Sequence, residues 1–176
     1  MSGPPGSGTT TAATAVAEVL GFDLVPGGQV FRRMAVEHGM SLAEFGAYAA
    51  AEPAVDVELD RRLAERAKQG RVVIESRLAG WIAHNEKLDA LLVWIDCDED
   101  VRARRVAARE DKSIEQARVE NAEREKVERE RYLALYGIDI ADLSIYDLVL
   151  DSGELSAAEV ADRIVRAARA RFPAES

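Results

Sequence analysis

The chain has 176 residues, 48% of them hydrophobic and 31% charged, with a formal net charge of −9. That length suits a single domain over residues 1–176, and the hydrophobic share is enough to bury a core, which excludes wholesale disorder. The acidic balance excludes a protein that coats nucleic acid through a basic face.

Cys97 is the only cysteine, which excludes an internal disulfide and a thiolate zinc cluster, and its apolar neighbours predict a buried thiol. No apolar run reaches the roughly 20 residues that span a bilayer. No basic segment followed by an apolar one opens the chain, so a cytoplasmic protein with no membrane partner is expected.

In chain order, a glycine-rich stretch opens into a helix predicted over Thr9 to Leu20 and stopped by Gly21, and a short strand follows over Phe22 to Val25. Gly27-Gly28 predicts a break before a helix to about His38. Ser41, with Glu44 three residues on, forms the capping box of the next helix. Pro53 suits the first turn of a helix running to Lys68, with Val55, Leu59 and Leu63 on one face. Arg71 to Glu75 and Ala90 to Cys97 read as buried strands, apolar runs bounded by turn signals.

Glu99 to Tyr136 predicts two charged helices interrupted near Asp111 to Ser113. Tyr146 to Leu150 is the last strand, and Ser156 with Glu159 caps a helix to about Phe172. Helices alternating with short β-rich runs are the pattern of a parallel α/β sheet. His38 and His84 stand without a partner at catalytic spacing, and Trp81 and Trp94 read as core residues.

Gly3, Pro4, Pro5, Gly6, Ser7, Gly8, Thr9 and Thr10 have the spacing G-x-x-x-x-G-[KST]-[ST], followed by Thr11. Such glycines let backbone N–H groups turn toward an anion at a helix N-terminus, so a nucleotide phosphate is the expected ligand and the Thr10 hydroxyl the expected Mg²⁺ ligand. Thr9 stands where a lysine usually follows the β- and γ-phosphates, so that charge comes from elsewhere or is forgone, which leaves room for a nucleotide binder without turnover. Only Met1 and Ser2 precede Gly3, whereas a phosphate loop normally follows a buried central strand. The first strand is therefore expected to be missing, through a misassigned start or a truncation.

The segments SGPPGSGTTT, GGQVFRRMAVEHGMSLAEFGAYA, ESRLAGW and ERERYLALYGIDIADLSIYDLVLDS resemble the archaeal-type cytidylate kinases, and the likeness spans essentially the whole chain. The stretches after the loop are more specific than the loop itself, which suits shikimate or adenylate kinases equally well. The resemblance implies a P-loop α/β three-layer sandwich around a five-stranded parallel sheet, four strands of which are visible here. It also implies acceptor-binding helices over about 28–68 and an arginine-rich lid over about 105–131. The implied activity is in-line transfer of the γ-phosphoryl group of ATP to CMP or dCMP, with Mg²⁺ as cofactor and no covalent enzyme intermediate.

The same resemblance implies roles for individual residues. Arg32 grips the acceptor α-phosphate, and Glu75, Ser76 and Arg77 follow the pattern acid-Gly-Arg, with Glu75 orienting water on Mg²⁺ and Arg77 offering a fork to the acceptor phosphate. Ser76 stands where the family has Gly, and Pro26-Gly27 where it often has Ser-Ala. Asp60 lies with Asp56, Arg61 and Arg62 on the helix used beside the pyrimidine base, where a carboxylate can accept from the cytosine amino group; a solvated charged face is an equal expectation.

Arg105 and Arg109 match the arginines where the lid begins, Arg105 toward ATP. Arg124 and Arg131, two turns apart, match those that clasp both substrates' phosphates, with Glu128 between them near the acceptor; a surface salt-bridge ladder is the alternative for any one of them. Asp151-Ser152-Gly153 matches the backbone that passes the adenine. A kinase for UMP or AMP and a non-catalytic P-loop protein stay open as other readings. The expected partners are small nucleotides, and a monomer is expected.

Overall fold

The structure, a computed structural model, describes residues 1–173. Its elements are α1 (Thr9–Leu20), β1 (Asp23–Pro26), α2 (Gly27–Glu37), α3 (Leu42–Ala51), α4 (Pro53–Lys68), β2 (Val72–Glu75), α5 (Ala79–Asn85), β3 (Val93–Asp96), α6 (Glu99–Glu110), α7 (Ile114–Tyr136), β4 (Leu148–Asp151) and α8 (Ala157–Arg171). Local chemistry sets most of these bounds. Ser41 and Glu44 close a reciprocal capping box on α3, Ser156 and Glu159 do the same on α8, and Pro53 opens α4. Asp98 caps α6 and Ser113 caps α7, which divides the charged stretch at residues 111–113.

Strands β1 and β4 begin one and two residues later than expected from the sequence and each ends one residue later, and three other details differ as well. Gly27-Gly28 is the first turn of α2 rather than a break before it. Helix α5 has only seven residues, too few for apolar periodicity to announce it. Strand β3 is four residues instead of eight, because Leu92 already serves the connection to β4, its carbonyl accepting from the N–H groups of Asp147 and Leu148.

Strands β1 and β2 pair in parallel, as do β3 and β4. Between the two halves run Met1 and Ser2. The Met1 amino group donates to the Ile74 carbonyl at 2.7 Å and Ser76 N–H returns to Met1 O, while Ser2 exchanges both backbone bonds with β3 through Val93 O and Ile95 N. The spatial order is therefore β1, β2, residues 1–2, β3, β4, with two residues in the central position where the sequence left no strand to expect. Beside them, between Val72-Val73 and Leu91-Leu92, lies an apolar cavity of about 310 Å³, lined also by Val16, Leu20, Ala83 and Ile164. Burial of the Met1 amino group in this apolar setting lowers its pKa to about 6.

Helices α1 and α8 cover one face, where Ala13, Val16, Ile95, Val160 and Ile164 form the main core. A second cluster of Val30, Met34, Phe45, Val55 and Leu63 belongs to α2, α3 and α4. Leu78, Tyr132, Ile138 and Ile140 make a third at the end of α7, and Val106, Ala107 and Ala117 a small fourth between α6 and α7. Trp94 and Cys97 are buried as expected, and both histidines are exposed. No helix among the described residues is long and apolar enough to cross a membrane.

Candidate active site

The loop from Gly3 to Gly8 lies between the Met1-Ser2 segment and α1. Gly3 has no room for a side chain, since a Cβ there would sit 2.4 Å from Ile95 O; Gly6 and Gly8 have φ of 83° and 86°, which favours glycine. Gly8 caps α1 with no side-chain hydrogen bond, so the first-turn N–H groups remain available to an anion. A Cβ at Gly8 would meet nothing within 4 Å, so the loop opens to solvent on that side. Thr10 and Thr11 are exposed in the first turn of α1.

Thr9, in the place usually held by lysine, donates its hydroxyl to Glu75 Oε1 at 3.1 Å. That contact ties the loop to the carboxyl end of β2, the edge at which ligands bind in open parallel sheets. Glu75 and the Thr10 hydroxyl are both oxygen donors of the kind Mg²⁺ selects, and a Mg²⁺ ion that arrives on nucleotide phosphates needs few protein ligands. The chemistry of the donor set thus fits that ion.

Arg77, at the start of the β2–α5 connection, has only 11% of its side chain exposed. Its Nη1 donates to Gly3 O and its Nε to Glu128 Oε2 at 2.5 Å. Glu128 also takes Arg124 Nε at 2.8 Å, so one buried carboxylate joins an arginine of the β2 edge to one of α7. Arg131 leans over the Tyr132 ring, with its Nε 3.4 Å from Asp56 Oδ2. Neither of those two atoms has a hydrogen-bond partner, although both are buried. Burial raises the Asp56 pKa, against the pull of Arg131.

Asp60, one turn along α4, is engaged differently. Tyr136 donates its hydroxyl to Asp60 Oδ2 at 2.8 Å, and burial lifts the Asp60 pKa to about 6 in spite of that bond. Arg32 is exposed on α2, its guanidinium beside Gly28, and Arg109 is exposed near the end of α6 with Glu110 as its ion-pair partner. Arg105 bonds to Ser152 and Cys97. The structure thus joins Arg77, Arg124 and Glu128 in one cluster braced on the loop, sets the Arg131–Asp56 pair within reach of the Glu128 charge, and leaves Arg32 and Arg109 outside both.

Sequence reasoning passed over Arg102, which is buried and bonds to Cys97 O at 3.0 Å and Pro5 O at 3.3 Å, with Glu125 as its ion-pair partner. The available signal was an arginine among the alanines and valines of the inward face of α6.

A glycine-rich loop running from the middle of a parallel sheet into an uncapped helix N-terminus, with arginines gathered beside it, defines an α/β phosphate-binding protein of the P-loop class. The profile of the cytidylate kinase-like family matches residues 1–154. The chain belongs to that family. A protein from Pyrococcus horikoshii named cytidylate kinase is 52% identical over 156 residues, which is 89% of this chain and 80% of that one. Another of the same name, from Archaeoglobus fulgidus, is 44% identical over 168 residues, 95% of this chain and 92% of its own. Among solved structures, an uncharacterized protein from Eubacterium ventriosum superposes with a TM-score of 0.72 over 94% of both chains at 17% identity, a likeness of fold alone.

Proposed function

We propose that the protein is a cytidylate kinase, which moves the γ-phosphoryl group of ATP onto the α-phosphate of CMP or dCMP and releases ADP with CDP or dCDP. The observation that carries the reading is the identity of 44–52% with proteins of that name across most of the chain, beside a family match over residues 1–154 that contains the phosphate loop. An acceptor phosphate oxygen attacks the γ-phosphorus in line as the bond to the β,γ-bridging oxygen breaks, so catalysis is positioning and charge neutralisation.

Gly3, Gly6, Ser7, Gly8, Thr9, Thr10 and Thr11 hold the ATP phosphates through backbone N–H groups and hydroxyls, while Pro4 and Pro5, which have neither donor, set the shape of the loop around them. Arg77, Arg109, Arg124 and Arg131 offset the charge on the transferred group, and Arg32 and Glu128 serve the acceptor. Thr10 and Glu75 would hold Mg²⁺ directly or through water; when bound, the ion neutralises the phosphate oxygens. Of the two carboxylates on α4, Asp60 already accepts from Tyr136, whereas Asp56 Oδ2, ion-paired with Arg131, accepts no hydrogen bond among the described residues. We therefore assign to Asp56, ahead of Asp60, the contact to the cytosine amino group, which uracil lacks. Helices α2 to α4 then form the acceptor arm and α6–α7 the lid, and each carries its own small apolar cluster on which to move.

The test is coupled ADP release with ATP and Mg²⁺ and a panel of CMP, dCMP, UMP and AMP at equal concentration. CMP or dCMP should give the highest turnover. Greater turnover of UMP or AMP would reassign the acceptor. ATP binding with no acceptor-dependent ADP would make the chain a non-catalytic binder, the reading that Thr9 favours.

A further inference from the structure

Three carbonyls of the phosphate loop are each tied to a different part of the protein. Gly3 O accepts from Arg77, Pro5 O from Arg102, and Ser7 O from the hydroxyl of Ser152 at 2.7 Å. A carbonyl pinned to protein cannot swing toward an anion, so these ties keep the loop presenting N–H groups instead. The third tie has an additional level. Ser152 follows β4 and is 5% exposed, its own N–H donates to Asp96 O, and Arg105 grips it twice, Nη1 to the hydroxyl at 3.0 Å and Nη2 to the carbonyl at 2.8 Å. Arginine can only donate. The Ser152 oxygen must therefore accept from Arg105, which leaves its single proton for Ser7 O, and the polarity of the whole chain of bonds is determined.

We propose that Ser152, oriented by Arg105, is a positioning residue that holds the phosphate loop in its ATP-binding shape. Arg105 then acts on the nucleotide through Ser152 and Ser7. The arrangement matters more here than in a loop with lysine, because with Thr9 in that place the backbone N–H groups carry a larger share of the phosphate contact. It also links α6, which bears Arg105, to the loop, so a movement of that helix alters the ATP site.

The proposal rests on the reading of the loop as an ATP site, and the experiment separates the two. KM for ATP, KM for CMP, kcat and the thermal midpoint are measured for the wild type, Ser152→Ala, Ser152→Thr, Arg105→Gln and the Ser152→Ala/Arg105→Gln double variant. Loss of one buried hydrogen bond should raise KM for ATP by about 10-fold in Ser152→Ala, with KM for CMP nearly unchanged. Ser152→Thr restores the hydroxyl and should recover most of the loss. The double variant should be no worse than the weaker single one, since both changes interrupt one path.

An unchanged KM for ATP in Ser152→Ala, a parallel rise in both KM values, or multiplicative losses in the double variant would each overturn it. Should Ser152→Ala not fold, Arg105→Gln with the same two KM values decides. A wild type that neither binds nor turns over ATP would instead remove the kinase reading.

Discussion

Gly27 and Ser76 face each other where α2 begins against the end of β2. A Cβ at Gly27 would lie 2.9 Å from the Ser76 Cβ, so the glycine at one position makes room for the larger residue at the other. Gly27→Ala is expected to destabilise by about 1–3 kcal/mol through overpacking, and Gly27→Ala/Ser76→Gly to recover it; urea titration of the three variants measures both. Arg77 braces Gly3 O and Glu128, and its proposed second role is to offer its remaining N–H groups to a phosphate. Its removal leaves a buried carboxylate short of a partner, so alanine confuses stability with binding. Arg77→Lys keeps the charge and loses the fork, and should lower kcat/KM for CMP by about 10–100-fold with a smaller loss in melting temperature. Steady-state kinetics beside a melting curve checks this.

At the scale of elements, boundaries were legible where a cap residue sat in the next turn, because a cap is a contact between residues three apart. The starts of α3 and α8 are of that kind and Pro53 marks that of α4, whereas α5 has neither a side-chain cap bond nor the length to show a period. The contact of α4 with α7 through Asp60 and Tyr136 was invisible in a string that separates them by 76 residues. It has a consequence for stability. The folded protein holds a proton on Asp60 up to about pH 6, while an unfolded aspartate has released it near pH 4. Asp60 therefore supports the fold fully below pH ~4, and that support is lost as pH rises through 6. Asp60→Asn should be more stable than the wild type at pH 7 by on the order of 1–2 kcal/mol, with the difference vanishing below pH 4. Denaturation measured from pH 3.5 to 7.5 gives the curve.

For the whole molecule, among the described residues Met1 and Ser2 join the two halves of the sheet, bonded to β2 on one side and β3 on the other, and the 310 Å³ cavity lies beside them. Three or four β-branched apolar residues joined ahead of Met1 should pair with both β2 and β3 and fill that space. The melting temperature is expected to rise by about 4–8 °C, as roughly 2 kcal/mol produces in a protein of this size. The same extension changes the pH response. With its pKa lowered to about 6, the Met1 amino group releases its proton in the folded state before it does in the unfolded one, so stability rises between pH 6 and 8. Conversion of that amine to an amide should remove the slope, and melting curves at pH 6 and 8 for both chains measure it.

Taken by itself, the sequence determined the class of fold, the phosphate loop and the arginines available to serve it, because glycine spacing, caps and apolar runs are local and survive without a partner. Only the tertiary structure decided which of those arginines meet. Arg77 and Arg124 converge on Glu128 across 51 and four residues of chain, while Arg109 turns to its neighbour Glu110. It also decided that Asp60 and not Asp56 is consumed by Tyr136, and that Ser152 reaches Ser7 across 145 residues. Such pairings depend on how helices and strands stack, and the sequence period of a helix states which face is buried but not what it is buried against.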